Sequence, residues 1–165
     1  MKRIGLLSDT HSWLDPALLR HFAGCDEVWH AGDIGNEEVC KALEDFPVFR
    51  AVSGNIDGGT LRSTYPEVQC FIAEGLKVLM IHIGGVPGNY FPEARKHIES
   101  EKPGLFICGH SHICKVMRDE KYKLLYMNPG ACGKHGFHKF RTAARFVIDA
   151  GKIRDLEVIE LGLRS

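Results

Sequence analysis

Short apolar runs alternate with amphipathic stretches along the first third of the chain. The apolar runs, each of the length of a buried strand, are residues 2–8, 27–31 and 47–52. Residues 16–23 and 37–43 have helical spacing, and Asp15 followed by Pro16 marks a helix start, because aspartate caps free backbone N–H groups and proline fits the first helical position. This alternation predicts parallel strands joined by crossover helices.

The second half of the chain has a different pattern. Residues 68–73 and 77–82 flank Glu74-Gly75 and predict a hairpin, and residues 91–100 predict a helix. The other strand-like runs, separated by turn residues, are 105–108, 115–118, 124–127, 141–149 and 153–161. Ala150-Gly151 predicts a hairpin between the last two. Parallel strands first and antiparallel strands later predict two sheets packed face to face, with helices outside.

Composition and organisation indicate one soluble globular domain over residues 1–165, because the chain contains no repeat, low-complexity tract or linker-like stretch. The apolar share of 44% and the charged share of 25% are ordinary for such a domain. Twenty-one basic residues balance twenty-one acidic ones, so no overall field attracts nucleic acid or an anionic membrane. Small phosphate-containing substrates remain compatible with this charge. The oligomeric state has no signal in the sequence.

We expect a cytoplasmic protein. The first apolar run ends at Ser8-Asp9, too early for the roughly 7–15 apolar residues of a signal peptide, and no run approaches the ~20 of a membrane span. The cysteines, which form no C-x-x-C pair, predict small buried side chains in a reducing compartment; they are Cys25, Cys40, Cys70, Cys108, Cys114 and Cys132.

Metal-competent side chains follow five of the apolar runs. They are Asp9, His11, Asp33, Asn55, His82, His110 and His112. In α/β sheets, ligands bind at the carboxyl ends of strands, so these side chains converge if the strands share one sheet. Gly32, Gly54 and Gly109 each precede one of them, as expected where the chain turns sharply and approaches a ligand closely.

The residue types indicate a two-metal site. Imidazoles, carboxylates and one amide suit Mn²⁺, Fe²⁺, Zn²⁺ or Ni²⁺ better than Mg²⁺, and Mn²⁺ is the first expectation. Seven ligands are too many for one tetrahedral ion, but they serve two ions if a carboxylate bridges and water completes the shells. Two ions activate a shared water and clamp the oxygens of an in-line displacement, as phosphate ester hydrolysis requires. A single-zinc hydrolase would leave several of these ligands unexplained.

Each motif alone has an ordinary structural reading as a turn or a core histidine, and their joint order carries the argument. That order resembles the calcineurin-like metallophosphoesterases, whose motifs are D-x-H, G-D, G-N-x-D, an isolated H and G-H-x-H. The matching residues here are Asp9-Thr10-His11, Gly32-Asp33, Gly54-Asn55-Ile56-Asp57, His82 and Gly109-His110-Ser111-His112. The resemblance extends to about residue 133, through Asn128-Pro129-Gly130-Ala131, and is similar to the small phosphodiesterase branch of bacteria and archaea.

The resemblance implies a layered α/β/β/α sandwich of two mixed sheets flanked by helices, with a binuclear centre. It assigns Asp9, His11 and His112 to one ion, it assigns Asn55, His82 and His110 to the other, and it makes Asp33 the bridge. It also implies hydrolysis of a phosphodiester, or alternatively a phosphomonoester, by a hydroxide that bridges the two ions. The rival is a non-catalytic interaction protein such as the similar small retromer subunit of eukaryotes. That branch alters part of the metal shell, so retention of all seven ligands favours an enzyme.

One departure from the family pattern concerns the general acid. Many members have histidine, and the small branch often has cysteine, where this chain has Ile56. Asn55 is a candidate substrate contact, and the basic segment 133–141 offers more. This segment reads as a solvated loop or, alternatively, as the source of the missing group: His138, or else His135, would contact the phosphate or protonate the leaving oxygen. Arg141 would add charge-assisted hydrogen bonds.

Overall fold

The computed structural model describes residues 1–165 as two five-stranded sheets, a two-stranded ribbon and four helices. The strands are β1 (Lys2–Leu7), β2 (Glu27–His30), β3 (Val48–Ala51), β4 (Val68–Ala73), β5 (Leu76–Ile81), β6 (Gly85–Val86), β7 (Asn89–Tyr90), β8 (Leu105–Ile107), β9 (Cys114–Asp119), β10 (Leu124–Pro129), β11 (Phe140–Asp149) and β12 (Lys152–Leu163). The helices are α1 (Pro16–His21), α2 (Glu37–Leu43), α3 (Gly59–Thr64) and α4 (Pro92–Glu101).

The first sheet has the strand order β12-β11-β1-β2-β3. Strands β1, β2 and β3 are parallel, as the alternation of strand and helix predicts. Strand β11 pairs antiparallel with β1, and β12 pairs antiparallel with β11. The end of the chain therefore returns to the sheet formed by its beginning.

The second sheet has the order β4-β5-β8-β10-β9. Strand β8 is parallel to both β5 and β10, while the edge strands β4 and β9 are antiparallel to their neighbours. The expectation of antiparallel strands throughout the second half is therefore wrong. Helix α4 makes a crossover between β5 and β8, and such a connection leaves the two strands parallel.

Three apolar clusters lie between the layers and hold them together. One lies between the sheets and draws on both, for example through Leu6 and Ile107. A second packs α1, α2 and α3 against the outer face of the first sheet, and a third packs α4 against the outer face of the second. The α/β/β/α sandwich is thus confirmed. Central strands buried on both faces explain the continuous apolar runs in the sequence.

Local signals account for most element boundaries. Asp15 accepts a hydrogen bond from the Ala17 N–H at 2.9 Å, which caps α1. Glu74-Gly75 and Ala150-Gly151 have left-handed backbone at both positions, as two-residue hairpin turns require. Helix α3 was not predicted, because it begins at a glycine pair without a side-chain cap. The β6–β7 ribbon was not predicted either, and each of its strands has two residues. None of the helices has the length and apolar character needed to cross a membrane.

All six cysteines are free thiols, and four of them are buried as expected. Cys70 is exposed, which corrects the prediction for that residue. It lies on β4 beside Phe71, and neighbouring side chains on a strand point to opposite faces. Because Phe71 packs against the core between the sheets, Cys70 faces outwards.

Candidate metal centre

The predicted ligands converge, but they come from both sheets and not from one. Asp9, His11, Asp33 and Asn55 follow strands of the first sheet, whereas His82, His110 and His112 follow strands of the second. Two groups of side chains bring their ligand atoms within 4.8 Å of one another: Asp9, His11 and His112 form the first, and Asp33, His82 and His110 form the second. The site therefore lies where the carboxyl ends of strands from both sheets meet.

The first group is arranged around Oδ1 of Asp9. This oxygen lies 3.1 Å from Nε2 of His112 and 3.8 Å from Nε2 of His11. Its partner oxygen Oδ2 accepts hydrogen bonds from the Ser8 hydroxyl at 2.6 Å and from the His110 N–H at 3.2 Å. One oxygen of Asp9 is thus held by the protein, while the other faces the imidazoles.

The second group is arranged around His82. Its Nε2 lies 3.2 Å from Oδ2 of Asp33, and its Nδ1 donates a hydrogen bond to the Ala31 carbonyl at 2.7 Å. Donation from Nδ1 leaves the lone pair on Nε2, which is the form that binds metal. Asn55 is at the exposed mouth of the site, and its Oδ1 lies 3.1 Å from Nδ1 of His110.

Asp33 lies between the two groups. Its Oδ2 is 3.2 Å from Nε2 of His82 and 3.5 Å from Nε2 of His11, which belongs to the other group. Its Oδ1 accepts a hydrogen bond from the Ile56 N–H at 3.1 Å. A carboxylate held in this position can serve both groups at once.

The side chains fit metal ions. Oδ1 of Asp9 and the Nε2 atoms of His11 and His82 are buried and make no hydrogen bond, although buried polar atoms normally have partners. Atoms that bind one ion at about 2.0–2.2 Å lie roughly 3.0–3.5 Å apart, which matches the short contacts around Asp9 and Asp33. Two buried carboxylates beside each other also require cations to offset their charge.

The pKa values of both carboxyl groups agree with an anionic site. Burial alone would raise the pKa of Asp9, but the imidazoles of His11 and His112 hold it far below its usual range. Burial likewise opposes ionisation of Asp33, and the neighbouring His82 lowers its pKa. Both groups are therefore ready to bind cations at neutral pH.

The backbone at the site is strained. Asp9, His11, Asp33, His110 and His112 all have φ between 46° and 68°, in the left-handed region that costs a non-glycine residue roughly 1–2 kcal/mol. Sparsely populated conformations of this kind persist where the surrounding structure over-determines them, and they cluster at functional sites. Five of the seven predicted ligands share this feature.

The glycines that precede ligands allow neighbouring loops of the metal centre to approach closely. A Cβ on Gly32 would lie 2.6 Å from Nδ1 of His82, and one on Gly54 would overlap Oδ1 of Asp33. A Cβ on Gly109 would meet the Ser8 hydroxyl. Each glycine thus lies against another part of the metal centre, as the sequence analysis expects of close approach.

Three residues outside the seven predicted ligands support the site. Asp57 accepts hydrogen bonds from the backbone N–H groups of Ile34, Gly35 and Gly54, and it thereby braces the loops that carry Asp33 and Asn55. Asn128 donates to the Gly109 carbonyl at 2.9 Å, which fixes the turn that carries both last histidines. His30 accepts from the Gly32 N–H, and burial lowers its pKa to about 4, so it is neutral. In the sequence, Asp57 and Asn128 belong to the motifs that carry the family resemblance.

A cavity of about 750 Å³ opens from the metal centre towards segment 133–139. The backbone N–H of Gly133 donates to the Asp9 carbonyl at 3.1 Å, so the segment lies against the first group of ligands. The His135 ring is 4.6 Å from that of His11, and the His138 ring is 5.1 Å from that of His112. Both histidines line this cavity.

His138 has a defined tautomer. Its Nε2 donates to the Gly133 carbonyl at 2.9 Å, and its Nδ1 is buried without a partner. Burial lowers the pKa of His138, although the bond to Gly133 acts in the opposite direction. The neutral ring therefore offers a lone pair at Nδ1, and a role as general acid would require a second proton.

The expectation that Arg141 contacts phosphate does not hold in this structure. Its guanidinium donates to the Asp15 carboxylate at 2.6 Å and to the carbonyls of Leu161 and Leu163. Arg141 is 8% exposed and does not line the cavity, because its N–H groups are bonded to the cap of α1 and to β12. It also lies against Trp13, which is half-buried and carries Lys134 over its ring at 4.2 Å.

Comparison with known proteins agrees with this geometry. Residues 1–151 match the model of the calcineurin-like phosphoesterase superfamily domain. A probable metallophosphoesterase of Methanocaldococcus jannaschii is 28% identical over 135 residues, which are 78% of this chain and 67% of that protein.

Solved structures share the fold at lower identity. An archaeal phosphodiesterase superposes with a TM-score of 0.72 at 21% identity over 95% of this chain and 99% of that one. Vps29 of Entamoeba histolytica, solved with Zn²⁺, superposes with a TM-score of 0.74 at 14% identity over 96% of this chain and 98% of that one. From the match over residues 1–151, the chain belongs to the calcineurin-like phosphoesterase superfamily.

Proposed function

We propose that this protein is a cytoplasmic phosphoesterase that uses two divalent transition-metal ions and prefers small phosphodiesters to monoesters. The observation that carries the two-ion proposal is the position of Asp33. Its Oδ2 lies within 3.5 Å of an imidazole from each group, whereas a single ion would need only one of the two groups. The archaeal phosphodiesterase of the same fold supports the same class of reaction.

Two such ions supply an activated water and neutralise charge on the phosphoryl oxygens. The residues of the chain set up this chemistry. Asp9, His11 and His112 would hold one ion, and Asn55, His82 and His110 would hold the other, with Asp33 shared. The hydrogen bonds from Ser8 and from the Ile56 N–H fix the two carboxylates before substrate arrives. The mixed nitrogen and oxygen set favours Mn²⁺, Fe²⁺, Zn²⁺ or Ni²⁺ over Mg²⁺.

The shape of the site supports a diester preference. A second cavity of about 640 Å³ is lined by Asn55 and His82, and it shares Asn55 with the cavity of about 750 Å³ described above. The metal centre is therefore flanked by two spaces. A diester carries two organic substituents and a monoester only one, so two flanking spaces suit the diester.

The alternative is a non-catalytic interaction protein. The similarity of fold to Vps29, a scaffold-like member, is the observation that favours it. A scaffold has no need for strained backbone at these residues or for buried carboxylate and imidazole atoms without partners, and both are present here.

The deciding experiment is turnover of bis(p-nitrophenyl) phosphate beside p-nitrophenyl phosphate. Metal-free protein would be loaded with Mn²⁺, Ni²⁺, Zn²⁺ or Mg²⁺ in turn. We expect turnover with transition metals, weaker turnover with Mg²⁺, and a higher kcat/KM for the diester. The matched variant is Asn55→Ala, which should lower kcat while the protein remains folded. Absence of turnover with every metal, in both proteins, would favour the scaffold.

A further inference from the structure

Four exposed apolar side chains surround the larger cavity at the metal centre. This apolar rim consists of Ile56, Ile113, Phe137 and Phe140, and their exposed fractions are 47%, 65%, 104% and 41%. They come from three separate segments of the chain, and all of them line the cavity that also contains His11, His110 and His112. Apolar groups gathered from distant segments around one opening mark a binding site.

Phe137 is presented on a fixed backbone. The Gly133 N–H donates to the Asp9 carbonyl, and His138 bonds back to the Gly133 carbonyl, which closes the segment on both sides of Phe137. Arg164 donates from Nε to the His138 carbonyl at 3.0 Å and from its backbone N–H to the Lys139 carbonyl at 3.0 Å. These bonds hold the backbone on both sides of the exposed Phe137 ring.

The charge near Phe137 suits an anionic ligand. Lys134 and Lys139 are exposed on the same segment, and Nζ of Lys139 lies 5.3 Å from the centre of the Phe140 ring. Lys139 lines the cavity together with two acids, Glu160 and the metal-centre residue Asp33. Aromatic rings offer stacking to a planar group, and the Lys139 ammonium offers attraction to the phosphate that the same molecule carries.

We propose that this cavity takes the nucleoside group of a phosphoester, with the base stacked on Phe137. The proposal rests on the proposed function and names its substrate class. A flexible alkyl group needs an enclosing pocket, whereas the open face of one ring is sufficient for a planar base. Base stacking on an aromatic side chain corresponds to roughly a five- to hundredfold change in affinity.

The test compares two phosphates that differ only in the base. Adenosine 5′-monophosphate and ribose 5-phosphate would be titrated calorimetrically into Mn²⁺-loaded protein. We expect wild type to bind the nucleotide at least fivefold more tightly. Phe137→Ala should abolish this difference in affinity and leave the affinity for ribose 5-phosphate unchanged. The matched control is Phe91→Ala, because Phe91 is 50% exposed and lines the other cavity.

The outcomes separate this inference from the proposed function. Equal affinity for the two phosphates in wild type overturns the inference and leaves the phosphoesterase intact. If Phe91→Ala removes the preference for the nucleotide and Phe137→Ala does not, the inference is also overturned, since the base would then lie in the second cavity. Failure of both phosphates to bind, while bis(p-nitrophenyl) phosphate is turned over, also overturns the inference alone, whereas absence of that turnover contradicts the proposed function itself. Self-association that depends on Phe137, with no effect on the difference in affinity, would assign the ring to contact between copies and overturn the inference.

Discussion

The Nδ1 atom of His82 lies 2.7 Å from the carbonyl oxygen of Ala31, and this hydrogen bond joins the two sheets at the metal centre. Ala31 follows β2 in the first sheet, and His82 follows β5 in the second. A carbonyl only accepts, so the bond places the hydrogen on Nδ1 and the lone pair on Nε2. The contact between the sheets therefore also sets the chemical form of a metal ligand.

Gly32→Ala should disrupt this arrangement. The new Cβ would lie 2.6–2.8 Å from three atoms of His82, and φ at this position is 103°. We expect loss of metal from the second group and a decrease of about 2–4 kcal/mol in the free energy of unfolding, from strain and overpacking together. Metal analysis and denaturant titration measure the two effects.

The matched control for this variant is Gly88→Ala. Gly88 has a similar φ of 86° but no atom within 4 Å of the added Cβ, so it reports backbone strain alone. It should keep both ions. Equal metal content and stability in the two variants would show that close packing against His82 is unimportant.

Asp33→Ala should remove metal from both groups. The Oδ2 atom of Asp33 faces His11 in the first group and His82 in the second, so neither shell is complete without it. His112→Ala removes a side chain that contacts only the first group and should preferentially deplete one ion. The number of ions per chain, measured by elemental analysis after dialysis, distinguishes the two. Full occupancy in Asp33→Ala would contradict the shared ligand.

His138→Ala should lower kcat by at least tenfold without loss of metal, with the largest effect on esters that have poor leaving groups. Its ring lines the cavity 5.1 Å from that of His112, and proton transfer by a positioned group contributes roughly 10²- to 10⁴-fold. Steady-state kinetics on diesters with graded leaving groups provide the measurement. The control is His97→Ala, since His97 lies on α4 and its side chain forms a hydrogen bond only with Glu93. Unchanged kinetics on the poorest leaving group would exclude a role for His138.

Asp15→Asn should destabilise the fold in a pH-dependent way. Burial alone would raise the pKa of Asp15, but the hydrogen bond from Arg141 lowers it below its usual value of about 3.9. A lowered pKa in the folded state adds stability that is present above pH ~4 and is lost as pH falls further. The variant keeps a capping side chain, so the deficit of about 1–3 kcal/mol near pH 7 reports the ion pair.

Unfolding titrations at pH 7 and pH 3 test this prediction. The difference between wild type and Asp15→Asn should shrink at the lower pH. The control is Glu157→Gln in the pair with Arg145, whose side chains are 56% and 37% exposed. Exposed pairs contribute about 0–1 kcal/mol, so this variant should behave like wild type. A pH-independent deficit in Asp15→Asn would show that its charge is not responsible.

The sequence by itself determined most of the elements and the candidate ligands. Periodicity of apolar residues identified most strands and helices, because burial on one or two faces leaves a direct trace in the order of side chains. The glycines before Asp33, Asn55 and His110 also carried a signal, since only glycine tolerates the close approach that its neighbours require. The seven candidate ligand positions could therefore be named without coordinates.

Only the tertiary structure decided how these parts meet. The return of β11 and β12 to the first sheet and the convergence of ligands from both sheets depend on pairings between distant strands, which leave no local pattern. The same holds for individual side chains on segment 133–141. Arg141 and His138 are three residues apart, yet Arg141 is held by Asp15 while His138 faces the metal centre. Their roles differ because each is set by the partners that the folded chain brings within hydrogen-bond distance, and sequence spacing does not encode those partners.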